Sequence, residues 1–382
     1  MDFIGFDPGK VSSQICLITA GGELLEHRIK TDRKQLAKLL GGRPPARSLI
    51  EAGTQSEWVA RYLEQLRHEV VVADPNFAPM YATRSRRVKT DKRDARTLAE
   101  ACRLGAYRTA HRASDKQRHV RAKLAVREAL VRTRSKYLSL IRSLLRRDGW
   151  RIRAGSARSF LVSLAAMQTS AQVQDEVAPL VLLRESLNEQ ITRADDELAE
   201  LVKADSVVKR LTSVPGVAAV TATCFVATLD DVTRFPDARQ ARAYRGLVPT
   251  EHSSGERQQR GSSNQAGPNR ARYLLVEAAL TILRRRSAHT AALHDWTTRI
   301  KERRGMKIAV VALARKLAGI LSARWRDGTD FRATAASTDA VLAAVATRPP
   351  GLLLQQRFSQ MVDEHEARSG SERCRMRDGA AD

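Results

Sequence analysis

Metal-binding cysteine patterns are missing from this chain. The four cysteines, Cys16, Cys102, Cys224 and Cys374, are scattered. There is no C-x-x-C pair and no histidine partner at zinc-ligand spacing, which argues against a zinc module. Isolated thiols of this kind are expected to be reduced, in a cytoplasmic protein. No apolar run reaches membrane-spanning length, so no membrane partner is expected. The chain opens directly on a strand-like run instead of a secretory leader pattern. The G-x4-G-K-[ST] spacing of a phosphate-binding P-loop is absent. Acid is also in short supply: 42 Asp+Glu face 66 Lys+Arg over 382 residues, a formal net charge of +24. That balance favours a polyanionic partner. The excess is mostly arginine, which binds phosphate through a planar fork.

The few acids are placed informatively. Phe3-Ile4-Gly5-Phe6-Asp7 and Ser48-Leu49-Ile50-Glu51 both read as short buried strands ending in a carboxylate. Ligands gather at the carboxyl ends of strands in open α/β sheets. The stretch Lys89-Thr90-Asp91-Lys92-Arg93-Asp94-Ala95-Arg96 holds two more acids, and Ala95, Leu98, Ala99 and Cys102 follow at helical spacing. Residues i and i+3 share a helix face, so Asp91 and Asp94 are expected to project together from the first turn. A close carboxylate pair suits a hard divalent cation, Mg²⁺ or Mn²⁺. A solvated helix start, where acids are also favoured, is the alternative for an isolated pair. Metal beside polyanion suggests phosphodiester chemistry. The flanking Arg84, Arg86, Arg87, Lys89, Lys92 and Arg93 are candidate nucleic-acid contacts.

Three strands are expected around Phe3–Asp7, Ser13–Thr19 and Glu23–Ile29, forming an antiparallel meander. Helix Arg33–Leu40, strand Ser48–Glu51, helix Ser56–Arg67 and strand Val70–Ala73 follow, making a mixed α/β sheet. The middle of the chain is helical. Leu124, Val131, Leu138 and Leu145 recur every seven residues, and Leu187, Ile191, Ala194, Leu198 and Leu201 step by four and three, as in packed or coiled helices. Asp148-Gly149-Trp150 and Ala154-Gly155-Ser156 look like breaks between them. An outer face carrying Arg118, Arg121, Lys123, Arg127, Arg132 and Arg134 is either solvated or a nucleic-acid contact. Arg210 to Val217 and the helix from Val220 look like a helix-hairpin-helix, with Ala218 where a second glycine is usual. The segment Thr250–Pro268 reads as one polar loop, followed by helices near 271–286, 289–303 and 307–326.

The order Asp7, Glu51-Ala52-Gly53, Asp74-Pro75 and Lys-Thr-Asp-x-x-Asp-Ala-Arg resembles the RuvC-like, ribonuclease-H-fold domain of DEDD-type insertion-sequence transposases, a family that includes pilin-gene invertases and bridge-RNA-guided recombinases. Further on, Pro215-Gly216, Arg234-Phe235 with Ala238-Arg239-Gln240, Tyr244-Arg245-Gly246-Leu247-Val248-Pro249, Ser254-Gly255 and the basic helix from Asn269 resemble the carboxy-terminal transposase domain of the same family. The resemblance covers roughly residues 1–327. It implies a catalytic RuvC-like domain over 1–112, a helical coiled-coil arm over 113–206 and a serine-bearing transposase domain over 207–327; beyond it lies an extension over 328–382, whose Ser-, Gly- and Arg-rich end is expected to be disordered. It implies metal on Asp7, Glu51, Asp91 and Asp94, and Ser254 as the nucleophile, with Ser253 an idle neighbour. Arg270 and Arg272 would hold flanking backbone. It further implies donor and target DNA, a structured guide RNA, a homodimer or homotetramer in which acids and serine meet between subunits, and a prokaryotic, nucleoid-associated setting. A metal-dependent nuclease or Holliday-junction resolvase using water would need the acids alone. A sugar-kinase-like nucleotide binder lacks its phosphate loops here, and a non-catalytic nucleic-acid-binding protein would not need all four acids.

Overall fold

Short apolar runs, buried on both faces, build the first sheet. The computed structural model describes residues 1–81, 90–152, 157–237, 240–241, 244, 249–251, 260–263 and 269–332. Strands β1 (Phe3–Asp7), β2 (Ser12–Ile18) and β3 (Leu24–Lys30) form the expected meander, and β4 (Arg47–Glu51) and β5 (Glu69–Ala73) run parallel to β1. The strand order is β3-β2-β1-β4-β5, a mixed sheet compatible with a RuvC-like fold. Side chains alternate between faces along each strand. Ile4, Phe6, Ile15, Leu17 and Ile50 therefore meet α1 (Arg33–Leu40) and α2 (Ser56–Gln65) in one apolar cluster. The other face receives α3 (Asp91–Leu104), whose Ala95 and Ala99 pack on Cys16 and Ile18.

Gly5 sets how closely α3 can lie. A β-carbon there would stand 2.0 Å from the Ala95 carbonyl oxygen and 2.2 Å from the Ala99 nitrogen. Only a residue without a side chain allows backbone to approach backbone in this way. Thr90 caps the helix by accepting from the Arg93 N–H at 3.3 Å, and Gly105 ends it in the left-handed conformation at φ +66°.

The chain divides into two compact units, the first being Met1–Ala113 and the second starting at Ser114. In the second, α4 (Asp115–Arg147) and α6 (Ala171–Ala204) pack antiparallel, with α5 (Ala157–Ala165) between them in sequence. Val120 and Leu124 meet Leu198 at one end, and Ile141 and Leu145 meet Val173 and Val177 at the other. The break expected at Gly149 is present, at φ +81°. Helices α7 (Ser206–Leu211) and α8 (Ala219–Leu229) follow, and Thr221 to Leu229 are all buried. On α8 packs α9 (Asn269–Arg284), and α11 (Met306–Asp327) packs on α9 and on α10 (Ala291–Arg304).

One expectation changes and one gains detail. The turn at Pro215-Gly216 packs against α9, although Gly216 itself is exposed. Gly216, at φ +77°, lies so close to α9 that a β-carbon would sit 2.8 Å from the Ala278 carbonyl oxygen, and Val214 and Val217 are buried. The segment expected as one loop contains strands β6 (Pro249–Glu251) and β7 (Arg260–Ser263), paired antiparallel. They lack apolar alternation, so backbone pairing is their only signature. Among the described residues no helix is long and apolar enough to cross a membrane, and Cys16, Cys102 and Cys224 are buried free thiols.

Candidate active site

Register places the first two acids together. In the parallel pair β1–β4, Phe6 lies opposite Ile50, so Asp7 and Glu51 follow side by side at the carboxyl ends. Both share strand parity with Gly5 and Leu49, which puts them on the α3 face. The Gly5 contact seats the first turn of α3 on the same face, bringing Asp91 and Asp94 alongside. Asp7, Glu51, Asp91 and Asp94, with Gly9 and Ser12, line one recess of about 230 Å³. Asp94 is 4% exposed, Asp7 and Glu51 are half-buried and Asp91 is exposed at the mouth.

The lining donors are all oxygen, the ligand type preferred by hard divalent cations. Among the described residues, however, no three His, Cys, Asp or Glu side chains stand close enough to hold a metal ion. The residues thus fit a metal by chemistry and by shared recess, without forming a closed cage. Beneath α3, burial pushes the Cys16 thiol up to about 11, which keeps it protonated and inert.

The rim of the recess is held firmly. Thr31 Oγ1 donates to the Gly9 carbonyl at 2.8 Å and shares a 2.7 Å hydrogen bond with Ser13 Oγ. A β-carbon on Gly9 would fall 2.1 Å from the Ser12 carbonyl oxygen, so this tight turn requires glycine. Gly9 and Ser12 are lining residues that sequence reasoning missed; the Pro8-Gly9 turn was the available signal.

The basic residues separate into different uses. Lys92 pairs with Glu26 at 2.6 Å, while Arg93 is exposed on the first turn of α3. Arg84, Arg86, Arg87 and Lys89 lie outside the described residues, as do Ser253 and Ser254. The row expected on an outer face of α4 is half-buried or exposed, and its cations are paired within their own unit. Lys123 pairs with Glu197 at 2.6 Å, Arg127 pairs with Asp195, and Arg134 donates to Asn188 at 3.0 Å, all on α6. Arg121 donates to the carbonyls of Ala227 and Thr228 at 2.6 and 3.2 Å. Arg118 and Arg132 pair within α4, with Asp115 at 2.7 Å and Glu128 at 2.5 Å. The reason is complementarity: α6 supplies carboxylates opposite the α4 cations, and the end of α8 supplies carbonyls without helical partners. Arg270 also pairs with Glu128, and Arg272 donates to Asn269. Burial, with no carboxylate to oppose it, holds the Arg272 pKa below the usual arginine range.

Both parts of the chain match known families. Residues 4–147 match the family model of IS110-type DEDD transposases, and residues 208–295 match that described as the transposase IS116/IS110/IS902 family. A Pseudomonas aeruginosa protein described as "Probable family 20 transposase" is 30% identical over 343 residues, which cover 86% of this chain and 98% of that one. The transposase for insertion sequence element IS1111A of Coxiella burnetii is 28% identical, covering 83% of this chain and 88% of its own. The transposase for IS1328 of Yersinia enterocolitica is also 28% identical, covering 86% and 98%. DEDD transposases use divalent metal in general, consistent with the oxygen-lined recess. The two matched segments, and a relative 30% identical along most of both chains, make this chain a member of the IS116/IS110/IS902 transposase family, an enzyme of mobile insertion-sequence DNA that cuts and rejoins strands.

Proposed function

We propose that the recess of Asp7, Glu51, Asp91 and Asp94 is where this transposase activates the DNA phosphodiester, with Mg²⁺ or Mn²⁺ as its cofactor. The observation that carries this reading is the convergence on one recess of four acids from three separate elements. A divalent cation held there would offset the carboxylate charge and polarise a phosphoryl oxygen. Ser254 is proposed as the nucleophile: its oxygen bonds to phosphorus, the sugar oxygen leaves, and the linkage retains the bond energy for rejoining. In support, Ser254 lies between β6 and β7, within the second family match. We further propose that a structured guide RNA pairs with donor and target DNA, as the large positive charge would permit. A homo-oligomer would then supply acids and serine from different subunits. The regions 1–112, 113–206 and 207–327 would act as catalytic domain, arm and serine-bearing domain.

The test traps reaction products under denaturing conditions and maps any peptide attached to DNA. Ser254→Ala is expected to bind nucleic acid yet form no adduct, and Ser253→Ala to retain activity. An adduct on Ser253, or strand exchange by Ser254→Ala, contradicts the assignment and favours hydrolysis by water. Mixing Asp94→Ala with Ser254→Ala chains restores activity if acids and serine come from different subunits. Activity that persists after complete removal of RNA contradicts guidance by RNA.

A further inference from the structure

Alongside the acids, on the same sheet face, Arg28 has no carboxylate partner among the described residues. Asp7 lies opposite Gln14 in the β1–β2 ladder, and Gln14 lies opposite Arg28 in the β2–β3 ladder. Residues directly opposite each other in antiparallel strands project to the same face. Asp7, Gln14 and Arg28 therefore form a row from the recess toward the β3 edge. The next row inward, Gly5, Cys16 and Glu26, is closed by α3, where Glu26 pairs with Lys92. The Asp7 row is thus the first one that α3 leaves open.

Arg28 is exposed, and among the described residues it makes no ion pair. Its only side-chain hydrogen bonds there are long ones, from Nε and Nη2 to Ser12 Oγ at 3.4 and 3.3 Å. Ser12 itself lines the acid recess. The guanidinium is consequently held beside the recess with donors to spare, on a rim fixed by the Gly9–Thr31–Ser13 hydrogen bonds. Arginine's fork matches a phosphate better than any other side chain does. A DNA strand over four carboxylates also needs a cation close by, because the acids alone repel it.

We propose that Arg28, steadied by Ser12, binds a phosphate of the DNA strand being cut, next to the phosphodiester seated over the acids. The proposal rests on the acid recess being the site of cutting. Arg28 sets position and affinity, and the bond changes stay with the groups named above.

The test measures DNA cutting by the full-length protein at limiting substrate. Arg28→Gln is expected to cut about 10- to 100-fold more slowly, the usual worth of hydrogen bonds to a charged group. Arg28→Lys should fall between the two. A series of substrates, each with one flanking phosphate replaced by a neutral methylphosphonate, supplies the readout that a merely structural role would not move. One position should slow the wild type by a similar factor and have no further effect on Arg28→Gln. Wild-type cutting by Arg28→Gln, or losses that simply multiply at every methylphosphonate position, would overturn the proposal. Asp94→Ala assayed alongside separates the two ideas. If it is inactive while Arg28→Gln is unaffected, only the phosphate contact is wrong; if it is active, the recess reading has failed.

Discussion

Helices α3 and α4 start alike and serve opposite ends. Each opens with a hydroxyl cap, Thr90 or Ser114, and each carries acid and base in its first turns. On α3 the small residues Ala95 and Ala99 let the helix press onto Gly5, so its acids reach a recess while Arg93 stays exposed. On α4 the basic residues meet carboxylates of α6 and carbonyls of α8 and become part of the unit's own cohesion. Composition counts charges; only the neighbouring elements determine whether a charge remains available to a ligand.

The largest effect that would break this comparison lies at the recess. Glu51→Gln, nearly isosteric and on a sheet whose core it does not enter, should reduce DNA cutting on the order of 10³-fold or more while leaving thermal unfolding unchanged. Gly5→Ala tests the seat of α3. Its methyl would overlap the Ala95 carbonyl, so stability should fall by about 1–3 kcal/mol in denaturant titration, and cutting should fall with it as α3 is displaced. Arg121 tests the other helix. Arg121→Met should cost about 1.5–3 kcal/mol, because two carbonyls at the end of α8 lose a charged donor, yet should leave the salt dependence of DNA binding unchanged. Arg93→Gln should do the reverse, flattening the salt dependence by about 0.9 log units if it meets one duplex phosphate.

The smallest effect is a pH dependence. Asp205 caps α7 and pairs with Lys116; burial opposes its ionisation, but the Lys116 hydrogen bond and the Val208 and Val207 N–H groups outweigh it and hold its carboxyl below the ordinary range. A depressed folded-state pKa contributes stability above the unfolded carboxylate pKa, near 3.9, and that contribution is lost as pH falls through the folded value. Asp205→Asn, which keeps an N-cap acceptor but removes the charge, should therefore lower stability slightly at neutral pH and reduce the loss seen on acidification.

Much of the amino-terminal unit was legible because its signals are local. Short apolar runs bounded by turns marked five strands to within a residue or so at each end, and the acids closing β1 and β4 followed from those ends. The i, i+3 spacing placed Asp91 and Asp94 correctly in the first turn of α3. Other features depend on partners distant in sequence. Nothing near Arg127 announces Asp195, and nothing near Gly216 announces the flank of α9. The β6–β7 pair carries no apolar alternation, so only the folded chain reveals it. Arg28 drew no attention because its significance comes from strand register, two strands away from Asp7.

The four acids gathered beside β1 and α3 are proposed to cut DNA with a divalent cation. The most direct measurement is the single-turnover rate of strand cutting by Asp94→Asn and wild type, both verified as folded by their melting curves, over a titration of Mn²⁺. The account predicts a folded Asp94→Asn with no detectable cutting at any Mn²⁺ concentration, beside a wild type whose rate rises from zero and saturates. Cutting by Asp94→Asn at the wild-type rate, or wild-type cutting that persists in excess chelator, would contradict it.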